Sequence, residues 1–292
     1  MIQTYSYKVA ETEFSVTMPE EIGVRAREEQ YKPFHIEHCE NEAFNLSFEI
    51  VDDLYSLPIG EHIDTFNDES PYLWIFKNGD QYNIGFSMSK DALESIMICD
   101  RVYIKSGQHR MRTECCINNS IMIRYTLACS FNNSLMIHSS VILHGGKAYA
   151  FLGKSGTGKS THSKLWLTNI EDTELLNDDN PVIHFIEDEA YIYGTPWSGK
   201  TPCYKNSRAP LGGLVKLRQA PYNKIERLGV MHALAQFMTS CSNIRWNKKS
   251  SNATMTTIGK VVQEVPIWGL DCLPDADAAH LCESNITKLS AK

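Results

Sequence analysis

Residues 153–160 read Gly-Lys-Ser-Gly-Thr-Gly-Lys-Ser. This is the G-x-x-x-x-G-K-[ST] pattern of a phosphate-cradling loop. Its glycines let the backbone curl tightly, so that successive N–H groups point inward at an anion. In that reading Gly153, Ser155, Gly156, Thr157, Gly158, Lys159, Ser160 and Thr161 form the nucleotide-binding segment. Lys159 reaches the outer phosphates of a nucleoside triphosphate such as ATP, and the Ser160 hydroxyl holds Mg²⁺.

Such a match needs a strand before it and a helix after it. Residues 147–152, Lys-Ala-Tyr-Ala-Phe-Leu, form the short apolar run of a core strand. Residues 161–167 contain neither Gly nor Pro, as a helix would. The helix N-terminus then adds partial positive charge to the phosphate site. The plain alternative is a glycine-rich turn that binds nothing.

Phosphoryl transfer also asks for a cation and often for a carboxylate that takes the nucleophile's proton. Asp178 and Asp179, in Leu175-Leu-Asn-Asp-Asp-Asn-Pro181, follow the loop by enough chain for a helix and a return to the sheet. One carboxylate would bind the metal and the other accept a proton. An Asp-Asp-Asn-Pro turn alone explains the same residues. His138 precedes the loop on an expected strand and reads either as a site residue or as a structural histidine; His144 and His162 have weaker claims. Residues 194–200, Gly-Thr-Pro-Trp-Ser-Gly-Lys, form a loop over the nucleotide or substrate, or else a tight turn around a buried Trp. Lys205 and Arg208 are further candidate phosphate contacts.

The whole chain has 292 residues, 28 basic and 35 acidic, for a net charge of −7. That argues against a general nucleic-acid binder, because phosphate backbones attract basic surfaces. Charge is uneven: residues 11–53 hold 12 acids against three bases, and residues 200–227 hold seven bases against one acid. The acidic stretch reads as a solvated face, and the basic one as able to fold over the loop. No run of apolar residues suits a membrane span and no leader is evident at Met1. The nine scattered cysteines contain no C-x-x-C pair, so a reducing, cytoplasmic setting is expected.

The pattern predicts a mixed α/β, α+β-like chain in two parts: a smaller β-rich domain over residues 1–110 and a nucleotide-binding domain over 111–292. In the first, strands are expected at 14–18, 72–76, 82–86 and 101–105, with an Asn-Gly hairpin at 77–80 and a helix near 91–97. If Cys115 and Cys116 lie on a strand, they point to opposite faces. In the second, helices are expected at 120–130 and 230–240 and a strand at 135–143, turning at 144–146 into the loop strand. Residues 265–271 read as an edge strand with an early Pro, and Asp275 as the cap of a last helix.

The series His138, then residues 147–161, then Asp178-Asp179 resembles the bacterial HPr kinase/phosphorylase family, and more specifically its shorter relatives with a phosphoenolpyruvate-carboxykinase-like fold. The likeness covers roughly residues 118–292. It implies a phosphoenolpyruvate-carboxykinase-like P-loop nucleotide-binding core that moves the ATP γ-phosphate to a serine-type hydroxyl. It implies Asp179 as proton acceptor, Ser160 and Asp178 at the metal, Lys159 at the phosphates, and His138 in the active site. The chain departs from the family at its Glu-x-Arg-Gly element, where Tyr191 and Tyr193 stand at the Glu and Arg positions. The expected activity is an ATP- and Mg²⁺-dependent kinase for a hydroxyl on a protein, peptide or small metabolite, with no nucleic-acid or membrane partner. Two alternatives remain: a nucleotide-binding regulatory module with little turnover, and a carboxykinase-like enzyme.

Overall fold

The computed structural model describes residues 1–22, 28–66, 70–199 and 201–288. Arg25, Arg27 and Lys200, counted among the bases above, lie outside them. The chain is mixed α/β and divides into two compact units: residues 1–8 with 12–128, and residues 9–11 with 129–292.

The first unit is built on β1 (Ile2–Val9), β2 (Thr12–Pro19), β3 (His35–Ile36), β4 (Glu42–Val51), β5 (Glu61–Phe66), β6 (Tyr72–Asn78), β7 (Gln81–Ser87), β8 (Ser95–Ile98) and β9 (Arg101–Lys105), with a short α1 (Glu28–Tyr31) and a long α2 (Arg110–Ser130). The strands lie in the order β3-β1-β2-β4-β9-β8-β7-β6-β5. The Asn-Gly signal does close a hairpin, with Asn78 opposite Gln81 and Gly79 at φ 61°. The helix expected near 91–97 does not form: residues 91–94 are irregular and the rest falls in β8, paired on both sides by β7 and β9. Its Ile96 is fully buried, and a short apolar run buried on both faces carries no period to tell strand from helix.

The helix expected at 120–130 begins ten residues earlier, at Arg110, so the division falls at its end and not at residue 110. Its first half is polar and Cys-rich, without an apolar stripe. What holds it is packing: Tyr125 meets the Phe14 ring edge-on at 5.8 Å, Asn118 accepts from Gln30 and Tyr31, and Arg124 lies over Phe44 at 4.4 Å. Tertiary contact of this kind overrides weak propensity. Cys115 and Cys116 are thus helical neighbours, not strand residues.

The second unit contains β10 (Ser134–Met136), β11 (Ser139–His144), β12 (Lys147–Leu152), α3 (Lys159–Asn169), β13 (Glu174–Asn177), β14 (Val182–Ile186), β15 (Glu189–Tyr193), β16 (Arg208–Gln219), β17 (Lys224–Arg227), α4 (Val230–Met238), α5 (Lys248–Glu264), β18 (Ile267–Cys272) and α6 (Ala276–Ile286). The main order is β10-β14-β15-β16-β12-β11-β13, with β18 against β16 and β17 against β18. The long β16 runs parallel to both β12 and β18. The carboxyl ends of these three strands therefore share one edge, where open α/β sheets bind ligands. The stretch 265–271 is accordingly interior and not an edge strand: Pro266 stands just before β18, where its missing N–H breaks no ladder bond.

Side chains of β12 alternate between two cores, as a strand buried on both faces must. Ala148, Ala150 and Leu152 join the cluster of Ala233 and Phe237 from α4 and Ile258 and Val261 from α5. Tyr149 and Phe151 join the cluster of Trp166 from α3 and Ala279, Cys282 and Ile286 from α6. Asp275 caps α6 as expected, its carboxylate accepting from the Ala278 N–H at 2.9 Å.

Candidate functional site

The loop strand and the following helix form where the sequence placed them. β11 and β12 make an antiparallel hairpin, turned through Gly145 and Gly146 at φ 57° and 74°, and β12 delivers the chain to Gly153. Gly156 and Gly158 take φ 78° and 105°, which L side chains rarely adopt. A Cβ on Gly153 would sit 2.9 Å from the Thr157 Cβ. No side chain caps α3, whose first turn begins at Gly158, so its leading N–H groups stay unpaired within the helix and favour an anion.

The single strand expected at 135–143 is two strands, because β10 pairs with β14 while β11 pairs with β12 and β13. His138 stands at the break. Its backbone N–H donates to Ser240 O at 2.7 Å, and the next N–H, of Ser139, donates to Asp179 O at 2.9 Å. A bulge between Val141 and Ile142, opposite 175–177, bends β13 just before the aspartates. Asn177, fully buried, then accepts from the Asp179 N–H at 3.0 Å and donates to Thr195.

These constraints bring the expected residues together. His138 Nδ1 lies 2.9 Å from Asp179 Oδ1, and His138 Nε2 lies 2.8 Å from Lys159 Nζ. An ammonium can only donate; Nε2 therefore accepts from Lys159, and the proton on Nδ1 faces Asp179. Lys159 also donates to Gly153 O at 3.0 Å. Burial lowers the Lys159 pKa, opposed by the charges of Asp179 and Asp178.

Asp178 is buried, and its Oδ1 has no hydrogen-bond partner among the described residues; the same holds for the hydroxyls of Ser139 and Ser240. An orphaned buried oxygen costs about 1–3 kcal/mol, and one explanation for such an atom is an ion or water that completes the site. The Ser160 hydroxyl and Asp178 offer hard oxygen donors of the sort Mg²⁺ takes while keeping several waters. Among the described residues no group of three or more His, Cys, Asp or Glu is placed to hold a metal.

The 194–199 segment lies on the aspartates. Asn180 N–H donates to Trp197 O, Gly199 N–H donates to Asp178 O at 3.3 Å, and Thr195 Oγ1 donates to Asn180 O. A Cβ on Gly199 would stand 2.8 Å from Asp178 O. Lys200 falls outside the described residues. Lys205 and Arg208 are engaged elsewhere: Lys205 with Glu174 at 2.9 Å, Arg208 with Glu11 at 2.9 Å and the Tyr193 hydroxyl at 2.7 Å. Their long side chains find acceptors closer than the loop, so neither contacts it.

The basic residue that does approach the loop is Lys216. The parallel register sets it opposite Leu152, one residue before Gly153. It is 8% exposed and has no carboxylate partner among the described residues; its ammonium donates to Thr239 Oγ1 at 2.7 Å. Burial lowers its pKa, and the charges of Lys159 and Lys154 push it down further. The sequence lists it as one of seven bases; only the strand register singles it out. His162 is buried behind the loop, its ring edge-on to Phe151 at 4.7 Å, with Nε2 accepting from Trp166 Nε1 at 3.2 Å. Burial lowers its pKa to about 4.

A hollow of about 660 Å³ includes Tyr191, but it also takes in Lys147, the first residue of β12. It therefore opens at the end of that strand away from the loop, and Tyr191 lies there with it.

No protein-family model matches the chain, and no curated protein matches it. Among solved structures it is similar to the HPr(Ser) kinase/phosphatase from Coxiella burnetii, at 9% identity and a TM-score of 0.31, over 53% of this chain and 95% of that one. A likeness so slight fixes no chemistry; that rests on the chain's own residues. No helix among the described residues is long and apolar enough to cross a membrane.

Proposed function

We propose that the second unit is a phosphoenolpyruvate-carboxykinase-like P-loop core and that the chain is an ATP- and Mg²⁺-dependent kinase for a hydroxyl acceptor. The observation that carries this reading is the line Asp179–His138–Lys159, which links a carboxylate to the lysine of the glycine loop through two hydrogen bonds. The amides of residues 153–160 cradle the phosphates. Lys159 and Lys216 meet the negative charge of the outer phosphates. Asp179 takes the proton of the acceptor hydroxyl as its oxygen bonds to the γ-phosphorus, and ADP leaves with the bridging oxygen. His138 orients Asp179 through Nδ1 and Lys159 through Nε2. Ser160 and Asp178 would hold Mg²⁺, which when bound neutralises phosphate charge. The acceptor belongs to a protein, a peptide or a small metabolite, and the setting is cytoplasmic, where ATP is supplied and thiols stay reduced.

The direct test is transfer of labelled γ-phosphate from ATP to serine peptides and small alcohols, beside a titration with MgATP. Transfer that Asp179→Asn abolishes supports the kinase; absence of MgATP binding overturns it. A second reading, a regulatory module that binds MgATP without turnover, is favoured by the lack of a third acidic ligand near Asp178 and Asp179 among the described residues. Tight binding with neither transfer nor hydrolysis would select it.

A further inference from the structure

We propose that the hollow on the α3–α6 side of the glycine loop receives the nucleobase of the bound nucleoside triphosphate. This rests on the kinase reading only in taking the loop as a phosphate site, and it applies equally to a module without turnover.

The hollow measures about 400 Å³ and abuts the backbone of Gly156, Thr157 and Gly158. That is within the range of small-molecule sites, roughly 300–1,000 Å³. Three elements build it. α3 contributes Thr161, His162 and Leu165, β16 ends in Leu217 and Gln219, and the chain leaving β18 contributes Cys272, Leu273 and Pro274. Parallel pairing sets Gln219 beside Cys272, so both strands end at the same level as the loop. Gln219 then closes over the loop, its amide donating to Gly156 O and Thr157 O at 3.3 and 3.4 Å.

Strand parity decides which ligand part belongs here. Lys216 and Leu217 are successive residues of β16 and face opposite sides of the sheet. Lys216 turns to the α4 side, where it meets Thr239; Leu217 turns to the core shared with Trp166 and Ala279 and lines the hollow. Lys159, Lys216 and the unpaired oxygens of Ser139 and Ser240 thus gather at the far side of the loop from the hollow. A phosphate chain anchored among the cations crosses the loop and leaves its base on the Leu217 side. The lining fits an uncharged planar ring. Among the described residues no Asp, Glu, Lys or Arg contributes to it, so no charged side chain is there to pair with a second ion, and the lining suits a base held by apolar walls and a few polar groups.

The test compares ATP with inorganic tripolyphosphate, which has the phosphates and lacks the base. The full chain is titrated calorimetrically with each ligand and Mg²⁺, and the Cys272 thiol is alkylated with N-ethylmaleimide under saturation by each, with mass spectrometry separating it from the other cysteines. Expected results are tighter binding of ATP by tenfold or more, protection of Cys272 by ATP only, and loss of most of ATP's advantage in Ala220→Trp, which fills the rim of the hollow. Tripolyphosphate binding to that variant should change less than twofold, which also shows that it folds. Equal binding of both ligands, equal protection by both, or an Ala220→Trp variant that keeps ATP's advantage overturns the base pocket and leaves the phosphate site standing. Binding of neither ligand to the unmodified chain overturns both.

Discussion

His138 Nδ1 and Asp179 Oδ1 are 2.9 Å apart, and the same imidazole takes the Lys159 ammonium on its other nitrogen. The carboxylate proposed to accept a proton is thus oriented by a ring whose second nitrogen is held by the lysine of the loop. Moving any one of the three disturbs the other two.

Asp179→Asn keeps the shape of the side chain and removes its basicity. Phosphate transfer should fall by about 10²–10⁴-fold, the usual contribution of a positioned acid or base. MgATP affinity should hold or rise, since a negative charge has left the neighbourhood of the phosphates. Single-turnover transfer with a parallel binding titration separates the two quantities. A rate within threefold of the unmodified chain would exclude Asp179 as the base.

Lys216 is buried near Lys159 and Lys154 with no carboxylate partner among the described residues, an arrangement that favours an arriving anion over the empty protein. Lys216→Met keeps the stem and drops the charge. The ligand-free melting temperature is expected to stay level or rise. The stabilisation by MgATP, and the transfer rate, should shrink by about 10–100-fold in the corresponding constants, as for loss of a charged hydrogen bond. Differential scanning fluorimetry with and without MgATP reads both effects; a variant with undiminished MgATP stabilisation would remove Lys216 from the site.

Much of this site is legible in the sequence because its signals are local. The glycine loop, the strand before it and the helix after it each follow from short-range patterns, and Asp178-Asp179 sit close behind. What the sequence leaves hidden is set by pairing at a distance. Lys216 matters because β16 lies parallel to β12 in a particular register. His138 reaches Asp179 because one apparent strand splits between two sets of partners. Lys205 and Arg208 look like loop contacts until Glu174 and Glu11 come within reach. In the first unit, α2 begins in a polar segment whose helicity depends on Asn118 meeting Gln30 and Tyr31 of α1, and on Arg124 and Tyr125 further along meeting rings of the sheet.

Gly199 carries the segment lying on the aspartates, and Gly199→Ala would press a Cβ to 2.8 Å from Asp178 O. A backbone atom cannot yield as a flexible side chain does, so Asp178 and the segment must separate. Transfer should drop by about tenfold or more, as misplacement of catalytic groups by a fraction of an ångström commonly does, with a melting temperature lowered by only a few degrees. Unchanged kinetics would mean that the segment does not position the aspartates.

Gly259, inside α5, gives the opposite sign. A Cβ there meets nothing within 4 Å and its φ is not positive. Gly259→Ala therefore only removes freedom from the unfolded chain and should stabilise by about 0.5–1 kcal/mol. Chemical denaturation measures it, with activity unaffected; a destabilised variant would show that α5 is strained at that position.

His162 supplies a pH dependence of stability. An unfolded histidine titrates near 6.5, whereas burial brings the folded value to about 4. Between those values the unfolded chain binds more protons, so stability rises with pH. The contribution is whole above pH 6.5 and drains away as pH falls toward 4, by about 3 kcal/mol in all. His162→Gln cannot titrate, yet its amide oxygen can still accept from the Trp166 indole. The variant should be less stable at pH 7, because the ring's packing on Phe151 is lost. Its melting temperature should nevertheless fall less between pH 7 and pH 5 than that of the unmodified chain. Comparing the two slopes cancels every other titrating group, and equal slopes would mean that His162 gains its proton as readily folded as unfolded.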